Sequence, residues 1–220
     1  MRELAVLIMG VVFAGAIAMV AISAPPAYPD QKEPRFPLLK YDELTAQQKP
    51  VADEILKVSS IGLSGPYNPM MRSPILADRM FKLLDYVRFN TSVPRRLNEF
   101  AILIEARLWT SQVEWYAHYP MALKAGLSQS VADELKEGKR PSSMQPDEAV
   151  VYDLLMELAT KHFVSDPTFK RAREIFTEQQ VVDLVMVSGI YVSLAMVSNT
   201  SEEGVPPGKT PPLQPLPSER

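Results

Sequence analysis

The sequence contains no cysteine, which excludes disulfides, thiolate catalysis, iron–sulfur clusters and cysteine zinc sites. Its two histidines, His118 and His162, are too few for a multi-histidine metal centre. Charge of one sign is also scarce. A formal charge of −3 over 220 residues, with no basic cluster, argues against nucleic acid as a partner. Nowhere do apolar and polar residues alternate between hairpin turns, so no strand is expected. Any chemistry must therefore run on carboxylates, one or two imidazoles, hydroxyls and ordered water, and no metal and no cofactor is implied. What is present, 46% apolar and 22% charged residues, suits one globular domain with extended ends.

Residues 1–24 stand apart from that domain. Leu4 to Ile22 is an uncharged run preceded by Arg2, long for a signal-peptide core and just long enough for a hydrocarbon layer of roughly 30 Å. Ala21 and Ser23 have the spacing of a cleavage site. The segment reads as an export signal or a retained anchor, and either places the domain outside the cytoplasm, periplasmic or extracellular. Membrane contact is then expected only through this segment. Residues 25–38 carry five prolines and read as an extended arm, and residues 201–220 carry six and read as a disordered tail.

Between the ends, residues 39–200 carry helical signals throughout. Thr45, Pro74, Pro94, Ser128, Pro146 and Asp166-Pro167 mark helix starts, and Gly126 marks a stop. Glu178 to Asn199 is apolar almost all round and is expected to be the buried helix. The fold class is all-α, a single-domain bundle of about seven or eight helices.

The stretch Glu99 to Leu127 is the most informative. On a helix, Ser111, Glu114, Trp115 and His118 share one stripe. Glu114 and His118, one turn apart, can hydrogen-bond, and a carboxylate beside an imidazole orients the ring and tunes it as a proton shuttle. The plainer alternative is a surface contact. Glu99 precedes His118 by nineteen residues, about 28 Å along one unbroken helix. The two can meet only if the helix breaks near Trp109-Thr110-Ser111 and folds back, or if another subunit supplies one of them. His162, near a helix C-terminus, is explained by its position and is given no role.

Several motifs in order resemble the carboxymuconolactone decarboxylase-like family, within the alkylhydroperoxidase D-like superfamily. They are the loop Gly65-Pro66-Tyr67-Asn68-Pro69-Met70, then Glu99-Phe100-Ala101-Ile102-Leu103, Glu114-Trp115-Tyr116-Ala117-His118 and Ala125-Gly126-Leu127-Ser128, and finally Asp147-Glu148, Val164-Ser165-Asp166 and Gly189-Ile190-Tyr191. The resemblance implies an alkylhydroperoxidase D-like helical bundle that assembles as a homo-oligomer, a trimer or hexamer. Its peroxidase branch uses a glutamate, a Cys-x-x-Cys pair and a histidine. Glu99 and His118 match the outer two, but Ser111 and Glu114 occupy the cysteine positions. Neither can form a sulfenic acid or a disulfide, so peroxide reduction by that route is excluded.

The decarboxylase branch also carries Glu-Trp-x-x-His here. Its members act without cofactor on small carboxylated lactones, losing CO2 with a shift of the double bond. The resemblance thus implies a small-molecule substrate, with His118, Glu114 and Glu99 as catalytic proton handlers. Arg107, or else Arg72, could pair with a substrate carboxylate. Tyr67, Met70, Trp109 and Trp115 are candidate walls and Ser111 faces the same way, although aromatic and methionine residues at helical spacing are more often plain core. The namesake reaction consumes intracellular intermediates, which conflicts with export, so a related proton-transfer reaction on a carboxylated or lactone substrate is the expectation. The alternative is a non-catalytic exported helical oligomer, a binding or scaffold module.

Overall fold

A computed structural model of the protein describes residues 33–216. The expected export segment, most of the proline-rich arm and the last four residues of the tail lie outside the described residues. Within them the chain is helical, with no strand. Nine α-helices follow in order: α1 (Lys49–Val58), α2 (Tyr67–Met70), α3 (Pro74–Asp85), α4 (Arg95–Leu108), α5 (Gln112–Lys124), α6 (Gln129–Lys136), α7 (Pro146–Lys161), α8 (Asp166–Ile175) and α9 (Glu178–Ser201). A π-helical turn, Tyr86–Asn90, continues α3.

The centre of the bundle is α4, buried at every position from Leu97 to Arg107. It packs against α5, α9, α7 and α6. One ion-pair cluster fixes its start to α7: Arg96 reaches Asp147 at 2.7 Å and also pairs with the buried Glu148. Those two acids open α7, so the cation bridges two helix ends while the acids satisfy the α7 macrodipole. Helix α9 begins with Thr177 and Gln180 bonded reciprocally, Thr177 Oγ1 accepting from the Gln180 amide at 3.2 Å and Gln180 Oε1 from the Thr177 amide at 2.9 Å.

Three expectations need correction. Thr45 does not open α1. It forms a turn with Gln48, whose Oε1 accepts from the Thr45 amide at 2.8 Å, and the helix starts at Lys49, where Pro50 has no amide proton to lose. Helix α9 is only half covered. Leu184, Val187, Tyr191 and Leu194 face the core, whereas Val182, Val185, Met186 and Met196 lie outside it, Val182 at 60% exposure. By length and composition α9 could cross a membrane, but half of its most apolar window is buried in the bundle. The tail is not disordered through residue 216. Leu213 is fully buried, Val205 nearly so, and Gln112 holds the Leu213 backbone with a donated bond at 3.0 Å and an accepted one at 2.9 Å. Two apolar anchors suffice here because proline-rich chain has little conformational freedom left to lose on docking.

Candidate active site

Three residues between α4 and α5 decide the site. The Ser111 amide reaches back to the Ala106 carbonyl at 2.8 Å and the Thr110 amide to Arg107 at 3.1 Å, so the chain reverses at once. Thr110 sits at φ 47, left-handed backbone that a β-branched residue rarely adopts. Helix α5 then runs back along α4 and lays His118 beside Glu99. Of the two routes by which these residues could meet, the structure takes the fold-back within one chain.

Glu99 Oε2 lies 2.7 Å from His118 Nδ1, and its other oxygen meets Arg95 Nη2, one turn earlier on α4, at 2.6 Å. The second ring nitrogen, Nε2, lies 3.1 Å from the hydroxyl of Tyr191 on α9. The two rings meet edge to face, 5.0 Å between centroids at 88°. Glu99, His118 and Tyr191 are all buried. Burial alone would push the Glu99 carboxyl up, but its hydrogen bond and charge coupling to His118, with Arg95 and Arg88 nearby, hold it below the ordinary carboxylate value. For His118 the balance falls the other way. Burial outweighs the attraction of Glu99 and lowers the imidazole below its ordinary value. Burial also keeps the Tyr191 phenol protonated, its pKa well above normal. The hydrogen-bond network then assigns the protons: Nδ1–H donates to the Glu99 carboxylate, and Tyr191 O–H donates to the bare Nε2.

Glu114 is not the partner of His118. Although one turn away on the same helix, it makes no hydrogen bond through either oxygen, and neither does the Ser111 hydroxyl. The ring turns instead toward α4, where a buried carboxylate anchored by arginine is a far stronger acceptor than a neighbour along the helix. Glu114 is fully buried. Desolvation drives its pKa well above normal, the nearby Ser111 hydroxyl opposing and the Glu105 charge reinforcing the shift, which favours the neutral acid.

His118, Glu114 and Tyr191 border one small cavity, about 40 Å3, which Tyr67, Arg88 and Leu194 also line. Tyr67 thus falls where a wall residue was expected. The other candidates do not line it. Met70 faces a surface groove with Phe36, Leu76 and Met196. Trp115 stacks on Tyr119, centroids 6.0 Å apart, at an adjoining groove that shares Ile61, Ala117 and Met121 with the cavity. Trp109 lends its carbonyl to Asn199 at 2.8 Å, and Ser111 is buried at the turn. Arg107 donates to the Gln214 carbonyl at 2.9 Å and so holds the tail, while Arg72 donates to the Asn68 carbonyl at 3.0 Å and covers Phe36. Trp115 points away because a helix offers only one stripe to a given cavity, and on α5 that stripe belongs to Glu114, Ala117, His118 and Met121.

Among the lining residues that sequence reasoning did not single out, Tyr191 and Arg88 bear most on the chemistry. Tyr191 left one usable signal, a lone aromatic hydroxyl within an apolar helix that needs a partner when buried. Arg88 left none. In Asp85-Tyr86-Val87-Arg88-Phe89-Asn90 it reads as a solvated helix end, and the π-helical turn rotates it inward instead.

No family model matches the chain, and no curated protein matches it. Among solved structures it is similar to an alkylhydroperoxidase AhpD core protein from Ralstonia eutropha JMP134, described as an uncharacterized peroxidase-related protein. That likeness has a TM-score of 0.65 at 15% identity and covers 76% of this chain and 89% of that one. An uncharacterized peroxidase-related protein from Silicibacter sp. TM1040 is similar at TM-score 0.64 and 12% identity, over 79% of this chain and 93% of that one. The chain has the alkylhydroperoxidase D-like fold, as expected from its motifs. It lacks cysteine, so a thiol peroxidase cycle is closed to it.

Proposed function

We propose that the protein is a cofactor-independent lyase or isomerase, resembling carboxymuconolactone decarboxylase, acting by acid–base chemistry on a small carboxylated or lactone substrate. One observation supports this reading above others: the hydrogen-bonded chain Glu99–His118–Tyr191 borders a small cavity that also holds the carboxyl group of Glu114, whose burial favours its neutral form. Nε2 of His118 is the base, freed when the substrate displaces the Tyr191 hydroxyl from its lone pair. When it takes a proton from a carbon beside a carbonyl, the imidazolium is stabilised by Glu99 on the other nitrogen. Glu114 delivers a proton where the shifted electron pair arrives. In a decarboxylation the C–C bond to the carboxylate breaks, CO2 leaves, and the pair enters the conjugated ring as a dienolate that Glu114 protonates.

The test is to incubate the protein in D2O with a panel of carboxylated butenolides and saturated lactones and follow the ring protons by NMR. The expected result is deuterium uptake or a shifted double bond with at least one compound, slowed 10²-fold or more in His118→Gln (about 3 kcal/mol or more). Equal rates in the variant, or no change across the panel, would count against the reading.

A second reading, a non-catalytic exported oligomer, draws support from the uncovered apolar stripe of α9 and from Ile75 and Leu76 on α3. Assembly as a homo-oligomer would cover such surface, and sedimentation velocity of the domain tests it. Export itself is supported by the uncharged run 4–22.

A further inference from the structure

Arg88 is 8% exposed and is the one permanently charged residue lining the cavity. Its guanidinium has little to hold. Nη1 makes a long bond of 3.4 Å to the Tyr67 hydroxyl, Nε is buried without a partner, and no carboxylate among the described residues comes within ion-pair distance. The Phe89 ring lies against it, 4.8 Å from Cζ. Glu99, the nearby anion, is already engaged by Arg95 and His118. A largely buried cation with an unsatisfied Nε–H and no anionic partner is costly, and a planar oxyanion from solution would satisfy it through two parallel N–H bonds.

We propose that Arg88, with the Tyr67 hydroxyl, is the anchoring subsite for a substrate carboxylate, and that this carboxylate survives the reaction. The inference rests on the acid–base reading of the cavity and adds what orients the reactant within it. A carboxylate clamped by arginine is stabilised most when its charge is localised, so the clamp would oppose its departure as CO2. The group that reacts is therefore another one, facing His118 and Glu114. With one fixed cation presenting a planar fork, the site favours a planar monoanion over a tetrahedral dianion such as phosphate.

Titration calorimetry on the full chain at constant ionic strength decides this, using 5-oxotetrahydrofuran-2-carboxylate, its uncharged methyl ester and inorganic phosphate. The acid is expected to bind the native protein at least tenfold tighter than the ester or phosphate. Arg88→Met should remove that preference, Arg88→Lys should recover part of it, and Tyr67→Phe should weaken acid binding a few-fold. Arg88→Met should melt no lower than the native protein when unliganded, since it removes an unpaired buried charge. His118→Gln should still bind the acid, which separates failure of the relay from failure of the anchor. Equal binding of acid and ester, phosphate preferred, or undiminished acid binding in both Arg88 variants would overturn the proposal.

Discussion

In the proposed relay Glu99 carries two duties at once: it fixes the tautomer of His118 and balances the imidazolium that proton transfer would form. Glu99→Gln keeps the shape but not the charge, so the account predicts a fall in turnover of about 10²–10⁴-fold with the substrate KM little changed. Steady-state kinetics on any compound that the NMR panel yields would check it. A second buried acid tests the electrostatics independently of any substrate. Glu105 on α4 accepts from the Ser188 hydroxyl at 2.6 Å, its other oxygen is unpartnered, and burial pushes its carboxyl up to about 7 from 4.5. A raised native pKa means that the folded state binds the proton more tightly than the unfolded chain. Its contribution is complete below pH 4.5 and is lost as pH rises through 7. Glu105→Gln should therefore leave melting near pH 4 almost unchanged and raise stability at pH 8, by on the order of 3 kcal/mol. Thermal melts of both proteins across that range would show it, and a uniform offset at every pH would count against it.

At the scale of elements, the α4–α5 hairpin makes the site, and much of it was legible. Glu99 and His118 meet across the hairpin, and Trp109-Thr110-Ser111 was the expected break. The partner of His118 was not legible, because spacing along one helix ranks Glu114 first while the choice of acceptor depends on which way the ring turns across the hairpin. Arg88 was hidden for a related reason: one π-helical turn shifts the face that a helix presents, and nothing in residue type announces it. The loop before α2 belongs to the same scale. Ser59, Ser60, Ile61 and Pro66 close the cavity, and Gly65 holds that loop against α5 at φ +65, where an added Cβ would stand 2.8 Å from Val113 Cγ2. Gly65→Ala should cost about 1–3 kcal/mol through backbone strain and overpacking, read by urea denaturation, and should weaken ligand binding beyond that loss.

For the whole molecule, the helical class followed from periodicity and caps, since a long apolar repeat with frequent N-terminal prolines leaves few alternatives. The last stretch did not. Proline-rich composition describes what a chain cannot do alone, whereas residues 201–216 dock on a surface already built by α4 and α5. Leu213 joins the core there, between the Gln112 bonds. Leu213→Ala is therefore expected to destabilise the fold by about 2–4 kcal/mol in urea or heat. A change of less than half that would mean the tail does not hold its place in solution.

The central claim is that the fold buries a neutral imidazole with its proton on Nδ1 and its lone pair accepting from the Tyr191 hydroxyl at the edge of the cavity. Nitrogen-15 NMR of the histidine side chains tests it most directly, because the chain has just two, and His162→Gln assigns them. The account predicts that at pH 7 His118 shows a protonated Nδ1 and an unprotonated Nε2, and that it charges only at a pH below the ordinary histidine value. A doubly protonated ring at pH 7, or a proton on Nε2 instead, would contradict it.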